Sequence, residues 1–258
     1  MPLDGSWLLR RRVAELDATP PASPGPDDPR LRHFLSVMQL HTDTRIEAEV
    51  GGPAIVGAAQ ADEIIGTCRL LADIRRNHPA LVDGPLRRDE QTWIGTSRQV
   101  PELAAHRFVA ARDRKSEPPS TKPFGLGLYT STAVSGGRSM WRAYLDNYHG
   151  SWLYPLPWYT WRLLATPDAR VLEVTRARDW VAFLEAYPRV VERLVFPDWA
   201  AVAADLDGIH LTLPAVAAIQ GFNLPSAHGL TAAAFWDLET TLWLRWCFSE
   251  PELSDVTR

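Results

Sequence analysis

Lys122-Pro123-Phe124-Gly125-Leu126-Gly127-Leu128-Tyr129-Thr130-Ser131-Thr132 reads as a glycine-punctuated strand that ends, just after an aromatic, in three consecutive hydroxyls. A Gly turn, Ser135-Gly136-Gly137, and a Trp-rich amphipathic segment follow it. A strand that only fills a core has no need of three adjacent hydroxyls beside two flexible glycines. A strand that lines a polar pocket does. The period of two puts Tyr129 and Ser131 on one face and Leu128, Thr130 and Thr132 on the other.

On the N-terminal side, residues 19–29 hold five prolines and no apolar period, the mark of a connector. Asp28-Pro29 reads as N-cap and first helical residue, and Leu31, Phe34, Leu35 and Met38 follow at helical spacing, so a helix is expected to about His41. A second helical segment covers roughly 60–76, and 77–98 reads as irregular. Residues 1–98 are therefore expected to form a mainly helical region packed on the rest, because the stripe at Leu31 to Met38 needs an apolar partner. Residues 99–258 change character. Strands are expected at His106–Arg112, Leu126–Val134, Arg170–Thr175, Ile209–Leu213 and, as a long one, Leu238–Phe248. Helices are expected at Trp141–Tyr148, at Trp180–Tyr187 ending before Pro188, and at Asp198–Asp205. Residues 153–161 are aromatic and proline-containing without a clear period. No Gly-rich loop joins strand to helix in the dinucleotide-binding manner, so the fold class is α+β rather than a doubly wound sheet.

The 258 residues are 46% hydrophobic and 22% charged, the balance of an ordinary soluble globular chain. A net charge of -4 argues against bulk electrostatic binding of nucleic acid. Lys115 and Lys122 are the only lysines, and the arginine bias fits a GC-rich, bacterial genome. Cys68 and Cys247 stand alone, without metal-ligand spacing, so neither structural zinc nor a disulfide framework is expected. No uncharged run approaches the ~20 residues of a membrane span, and the first residues lack a leader's charged and apolar regions. A cytoplasmic protein is expected, although a toxin exported without a removable signal would look the same.

In the last expected strand, Glu239 falls on the face opposite Leu238, Leu242 and Leu244, two residues after Asp237. Tyr129-Thr130-Ser131-Thr132 followed by Asp237-Leu238-Glu239 resembles the ADP-ribosyltransferase fold. There, an aromatic-Ser-Thr-Ser strand supports a catalytic Glu in a later Glu-x-Glu or Gln-x-Glu motif. Gly125-Leu126-Gly127-Leu128-Tyr129 is also similar to the Gly-x-Gly-aliphatic-Tyr of the poly-ADP-ribose polymerase branch. The likeness covers about residues 105–248. It implies a mixed split β-sheet core with a helical N-terminal extension, and NAD as substrate without a metal. It makes Glu239 the catalytic carboxylate, Ser131 and Thr130 the groups that position it, and Tyr129 a platform for nicotinamide. Gly127, Thr132, Arg112 and Asp237 complete the implied NAD-binding set. Three departures stand out. The first hydroxyl is Thr, the acidic motif opens with Asp, and the family's early-strand Arg or His has no clear counterpart beyond Arg112.

Such chemistry suits these residue types. Cleaving the nicotinamide–ribose bond passes through an oxocarbenium-like state, which a nearby carboxylate stabilises more than the ground state. Adjacent hydroxyls fix that carboxylate's rotamer. The resemblance implies a toxin-like transferase or NAD glycohydrolase. The acceptor (protein, nucleic acid, small molecule or water) is open, and a cognate inhibitor protein is a conceivable partner. The alternatives are a non-enzymatic scaffold with a pocket lined by Trp141, Trp152, Trp158 and Trp161, or another transferase or hydrolase. His210-Leu211-Thr212 fits half of the two-histidine phosphoesterase pattern but has no second half. His210 is thus expected in a buried strand, lining a cleft or satisfied by backbone. Cys247 is expected as an inert thiol within the last strand.

Overall fold

The computed structural model describes residues 28–38, 58–99, 119–123, 125–134, 138–147, 154–220, 222–233 and 236–258. The hydroxyl stretch forms strand β2 (Leu128–Thr132), near the middle of a seven-stranded sheet. The other strands of this sheet are β1 (Gln91–Gly95), β3 (Trp158–Leu163), β4 (Val171–Val174), β7 (Gly208–Leu211), β10 (Thr240–Trp243) and β11 (Glu252–Thr257). Their spatial order is β11-β3-β1-β2-β10-β7-β4. All neighbours are antiparallel except β4 and β7, which are parallel. A smaller sheet orders β5 (Pro188–Val191), β6 (Leu194–Pro197), β9 (Gly229–Ala232) and β8 (Asn223–Ser226) as β5-β6-β9-β8. Helices and mixed sheets together make an α+β fold.

Helix α1 spans residues 29–38. It begins where the sequence places it, because Asp28 Oδ1 accepts from the Arg30 amide at 2.8 Å and so caps it. The chain continues through α2 (Ala58–Asn77), α3 (Pro79–Val82), α4 (Met140–Asn147), α5 (Ala177–Ala186), α6 (Trp199–Asp205) and α7 (Leu213–Ile219). Leu31, Phe34, Leu35 and Met38 of α1 are buried in the same apolar cluster as Val174, Ile209, Leu211 and Leu242 of the large sheet. The N-terminal stripe therefore finds its partner in the core of the second half. The opposite face of the sheet packs Leu128, Trp161, Leu163, Trp243 and Phe248 into a second cluster.

Four expectations are corrected. Residues 77–98 are not wholly irregular: Gln91–Gly95 is a strand held between β2 and β3. The unperiodic stretch at 153–161 leads into β3, paired along both edges with β1 and β11. The long strand expected at Leu238–Phe248 is only Thr240–Trp243. Past Trp243 the Leu244 amide still reaches across, to the Asp207 carbonyl at 2.8 Å, and the Arg245 guanidinium then donates to Asp207 Oδ1 at 2.9 Å and to the carbonyls of Ala203 and Ala204 in place of ladder bonds. Leu213, read as the last residue of a strand from Ile209, instead opens a helix, Leu213–Ile219, capped by Thr212. The expected strand at His106–Arg112, the end of the first helix to His41, and Trp152 lie outside the described residues. Among the described residues, no helix is long and apolar enough to cross a membrane.

Candidate functional site

β2 and β10 lie side by side, with Thr241 opposite Thr130 and Trp243 opposite Leu128. Glu239 immediately precedes β10 and so arrives at the hydroxyl end of β2. Its side chain has no solvent exposure. Ser131 Oγ donates to Glu239 Oε2 at 2.8 Å, and Thr132 Oγ1 donates to Oε1 at 2.8 Å. The Thr132 amide donates to the same carboxylate at 3.0 Å, so the acid stands where a ladder carbonyl would otherwise be. His210 Nε2 lies 3.1 Å from Oε1. A carboxylate has about four lone-pair positions, and these four donors fill them.

His210 is itself held from behind. Its Nδ1 is 2.6 Å from Glu173 Oε2, and the other oxygen of Glu173 accepts from the Leu86 amide at 2.8 Å. Burial alone would lower the imidazole pKa. The hydrogen bonds to Glu173 and Glu239, and the charge of both acids, outweigh it and push the ring up to about 9. Glu173 is lowered in turn: burial opposes this, but the His210 contact, the Leu86 amide and the charge of Arg88 prevail. The registers Glu173↔His210, His210↔Thr241 and Thr241↔Thr130 make one polar row across four strands. Thr241 Oγ1, within that row, is buried and has no hydrogen-bond partner among the described residues.

Each residue read from the sequence except Arg112 and Trp152 has a definite place among the described residues. Ser131 and Thr132 touch Glu239. Thr130 does not: its hydroxyl donates to Gln91 Oε1 at 2.5 Å and accepts from Trp243 Nε1 at 2.8 Å. Of the two threonines it is Thr132 that bonds the carboxylate, because the Thr130 hydroxyl is taken up by Gln91 of β1 and Trp243 of β10. Gln91 also donates to Thr132 Oγ1 at 3.2 Å and to the Arg87 carbonyl at 2.9 Å, clasping both outer hydroxyls of the run. Gly127 has φ +65°, and a Cβ there would sit 2.0 Å from the Trp243 carbonyl oxygen. Its need is the close approach of β10, which only glycine permits.

Tyr129 and Asp237 belong to a separate, half-buried group. Tyr129 donates its hydroxyl to the Pro123 carbonyl at 2.9 Å, and its ring lies 6.3 Å from that of Trp236. The Lys122 ammonium sits 5.2 Å and 5.3 Å from these two ring centres. Burial lowers the Lys122 pKa to about 8, against the opposing pull of Asp237. Asp237 accepts from Gln220 Nε2 at 2.8 Å. Arg112 lies outside the described residues. Of the tryptophan platform, Trp158 and Trp161 are buried, in different apolar clusters. Cys247 is not within a strand, and burial pushes its thiol up to about 11, which leaves it a poor nucleophile.

His210 satisfies two carboxylates, and not the backbone, which sequence reasoning missed. So did it miss Glu173 and Gln91. A signal exists: Glu173 between Leu172 and Val174, and His210 between Ile209 and Leu211, are single polar residues inside short apolar strands. A cleft of about 440 Å³ opens past the end of β2, with Thr92, Ala133, Val134, His78 and Arg162 in its lining. Glu239 does not line it. Among the described residues no group of His, Cys, Asp and Glu is arranged to hold a metal ion. No family model, curated protein or solved structure matches this chain.

Proposed function

We propose that this chain is an NAD-consuming enzyme of ADP-ribosyltransferase type, a transferase or NAD glycohydrolase, with Glu239 as its catalytic carboxylate. One observation carries the reading: residues 108 apart in sequence, Ser131 and Glu239, meet at 2.8 Å, so the hydroxyl run and the acid form one unit. In this reading the core is the mixed split sheet of that fold and the N-terminal helices are its extension. Ser131 and Thr132 hold the carboxylate in one rotamer before substrate arrives. The nicotinamide–ribose bond breaks, its electron pair leaves with nicotinamide, and the negative charge of Glu239 offsets the positive charge growing on the ribose. Water or an unidentified acceptor then takes the ADP-ribosyl group. Toxin-like action and a cognate inhibitor belong to the same proposal.

A second reading, a non-enzymatic binding protein whose sheet is closed by a satisfied polar network, is favoured by one fact. Glu239 is fully buried and its four acceptor positions are taken. A substrate hydroxyl reaches it only by replacing one of these donors. Release of free nicotinamide from NAD separates the two readings. The enzyme reading expects turnover above a no-protein control, a ~10²-fold loss in Glu239→Gln, and a smaller loss in Ser131→Ala, which removes orientation and not charge. No turnover in the parent chain would rule it out, and equal rates in parent and Glu239→Gln would place the chemistry elsewhere.

A further inference from the structure

We propose that His210 is a positioning residue for Glu239, itself oriented by Glu173, so that the three side chains act as one unit running from the buried acid to the protein surface. The inference rests on the reading of Glu239 as the reactive carboxylate.

Glu239 and His210 have no side-chain exposure, whereas the Glu173 side chain is 31% exposed. The imidazole lies between two carboxylates supplied by different parts of the chain, at 3.1 Å from one and 2.6 Å from the other. A doubly protonated ring donates at both nitrogens and matches both acceptors. A neutral ring would turn a lone pair toward one of the acids, leaving two acceptors face to face in a buried place. The groups facing the ring from each neighbouring strand are consistent with this. Glu173 comes from β4, Glu239 precedes β10, and Thr241 of β10 is uncharged. Arg88 acts on the far side, on Glu173. The elevated imidazole pKa of about 9 agrees with the geometry.

The second acid has a reason beyond orientation. Glu239 and an imidazolium alone would sum to zero charge, a poor environment for an oxocarbenium ion. Two carboxylates sharing one imidazolium keep a net negative charge while Glu239 stays fixed. Glu173 therefore lets His210 hold Glu239 without cancelling it. The arrangement is that of an outer group orienting and tuning an inner one, the relation in which losing the outer group costs about tenfold to a hundredfold in activity.

The test uses the full chain and the variants His210→Gln and Glu173→Gln. The His210 ring is followed by nitrogen NMR, its signals assigned by their loss in His210→Gln, and nicotinamide release is followed against pH. The expected result is a doubly protonated ring at pH 7.5. In Glu173→Gln the ring should lose its proton at least one pH unit lower. In both variants kcat should fall about tenfold to a hundredfold with KM little changed. The alkaline limb of the Glu173→Gln profile should move to lower pH. A neutral ring at pH 7.5, or one that Glu173→Gln does not move, overturns the relay whether or not NAD is consumed. Parent turnover with unchanged kcat and pH profile in both variants overturns the positioning role and leaves Glu239 standing. No turnover in the parent overturns the proposal together with the reading beneath it. Should His210→Gln fail to fold, Glu173→Gln carries the rate and the ring titration, since it keeps size and can still accept from the Leu86 amide.

Discussion

Thr130 and Thr241 stand opposite each other on β2 and β10, both fully buried, and they have opposite hydrogen-bond histories. Thr130 is bonded to Gln91 and Trp243, whereas the Thr241 hydroxyl has no partner among the described residues. Valine keeps the shape of threonine and removes the hydroxyl. Thr130→Val strands a buried indole N–H and an amide oxygen, and should cost about 1–3 kcal/mol. Thr241→Val strands nothing and should be neutral or stabilising by up to about 1 kcal/mol. Urea denaturation of the two variants checks this; equal losses would show that Thr241 has a partner after all. The same pair illustrates what the sequence revealed at this scale. That the hydroxyls and Glu239 stand out was legible from residue type alone, since three hydroxyls and an acid are unusual in otherwise apolar strands. Which hydroxyl meets the acid was not legible, because it depends on the register of β2 against β10. The contacts of His210 with Glu173 and Glu239 were missed for the same reason: each looks like an isolated polar residue until two strands are aligned.

Among elements, the helices with an apolar stripe and a cap were legible. Asp198 accepts from the Ala200 and Ala201 amides at the start of α6, as an N-cap should. β1 and β3 were not legible. Both lie inside the sheet and are mostly buried, Arg162 being the one exposed residue between them, so they show no clean alternation, and Pro155 and Pro157 further disguise the entry to β3. The parallel pair β4 and β7 is tied by the contact between Glu173 and His210, which makes its stability depend on pH. His210 is raised from 6.5 to about 9 in the folded chain. Its contribution is thus complete below about pH 6.5 and is lost as pH rises through about 9. Glu173 is lowered, so its contribution is present above its ordinary value near 4.5 and is lost as pH falls through its folded value. Stability from this contact should therefore be greatest near pH 6 and lower at pH 9, by on the order of 1–3 kcal/mol. Urea midpoints at the two pH values, in parent and Glu173→Gln, measure it. The variant should be weaker at pH 6 and show a shallower decline; an identical decline in both would mean that other groups cause it.

For the whole molecule, the described residues on either side of residue 98 share one sheet and one apolar cluster. The first helix of the N-terminal region was legible because the stripe at Leu31, Phe34, Leu35 and Met38 demanded a partner, and the cluster it joins includes Ile209, Leu211 and Leu242. The strand hidden at the end of that region was not. β1 pairs with β2 through Gln91 and Thr92 and with β3 through all five of its residues. It also supplies Gln91, which clasps Thr130 and Thr132 beside Glu239. A second tie lies deeper in the N-terminal region: Asp28, which caps α1, accepts from the buried ring of His78 at 3.0 Å. Removing residues 1–98 would thus open the large sheet in its middle, leave β2 and β3 each with an unpaired edge, and expose the apolar face that α1 and α2 cover. A chain of residues 99–258 is therefore expected not to fold. It should lack a cooperative thermal transition by circular dichroism and bind a hydrophobic dye at ambient temperature, whereas the full chain should melt in one step. Limited proteolysis of the full chain should likewise yield no stable fragment ending near residue 98. A soluble 99–258 chain with a sharp transition of its own would show that β3 and β2 can close on each other without β1.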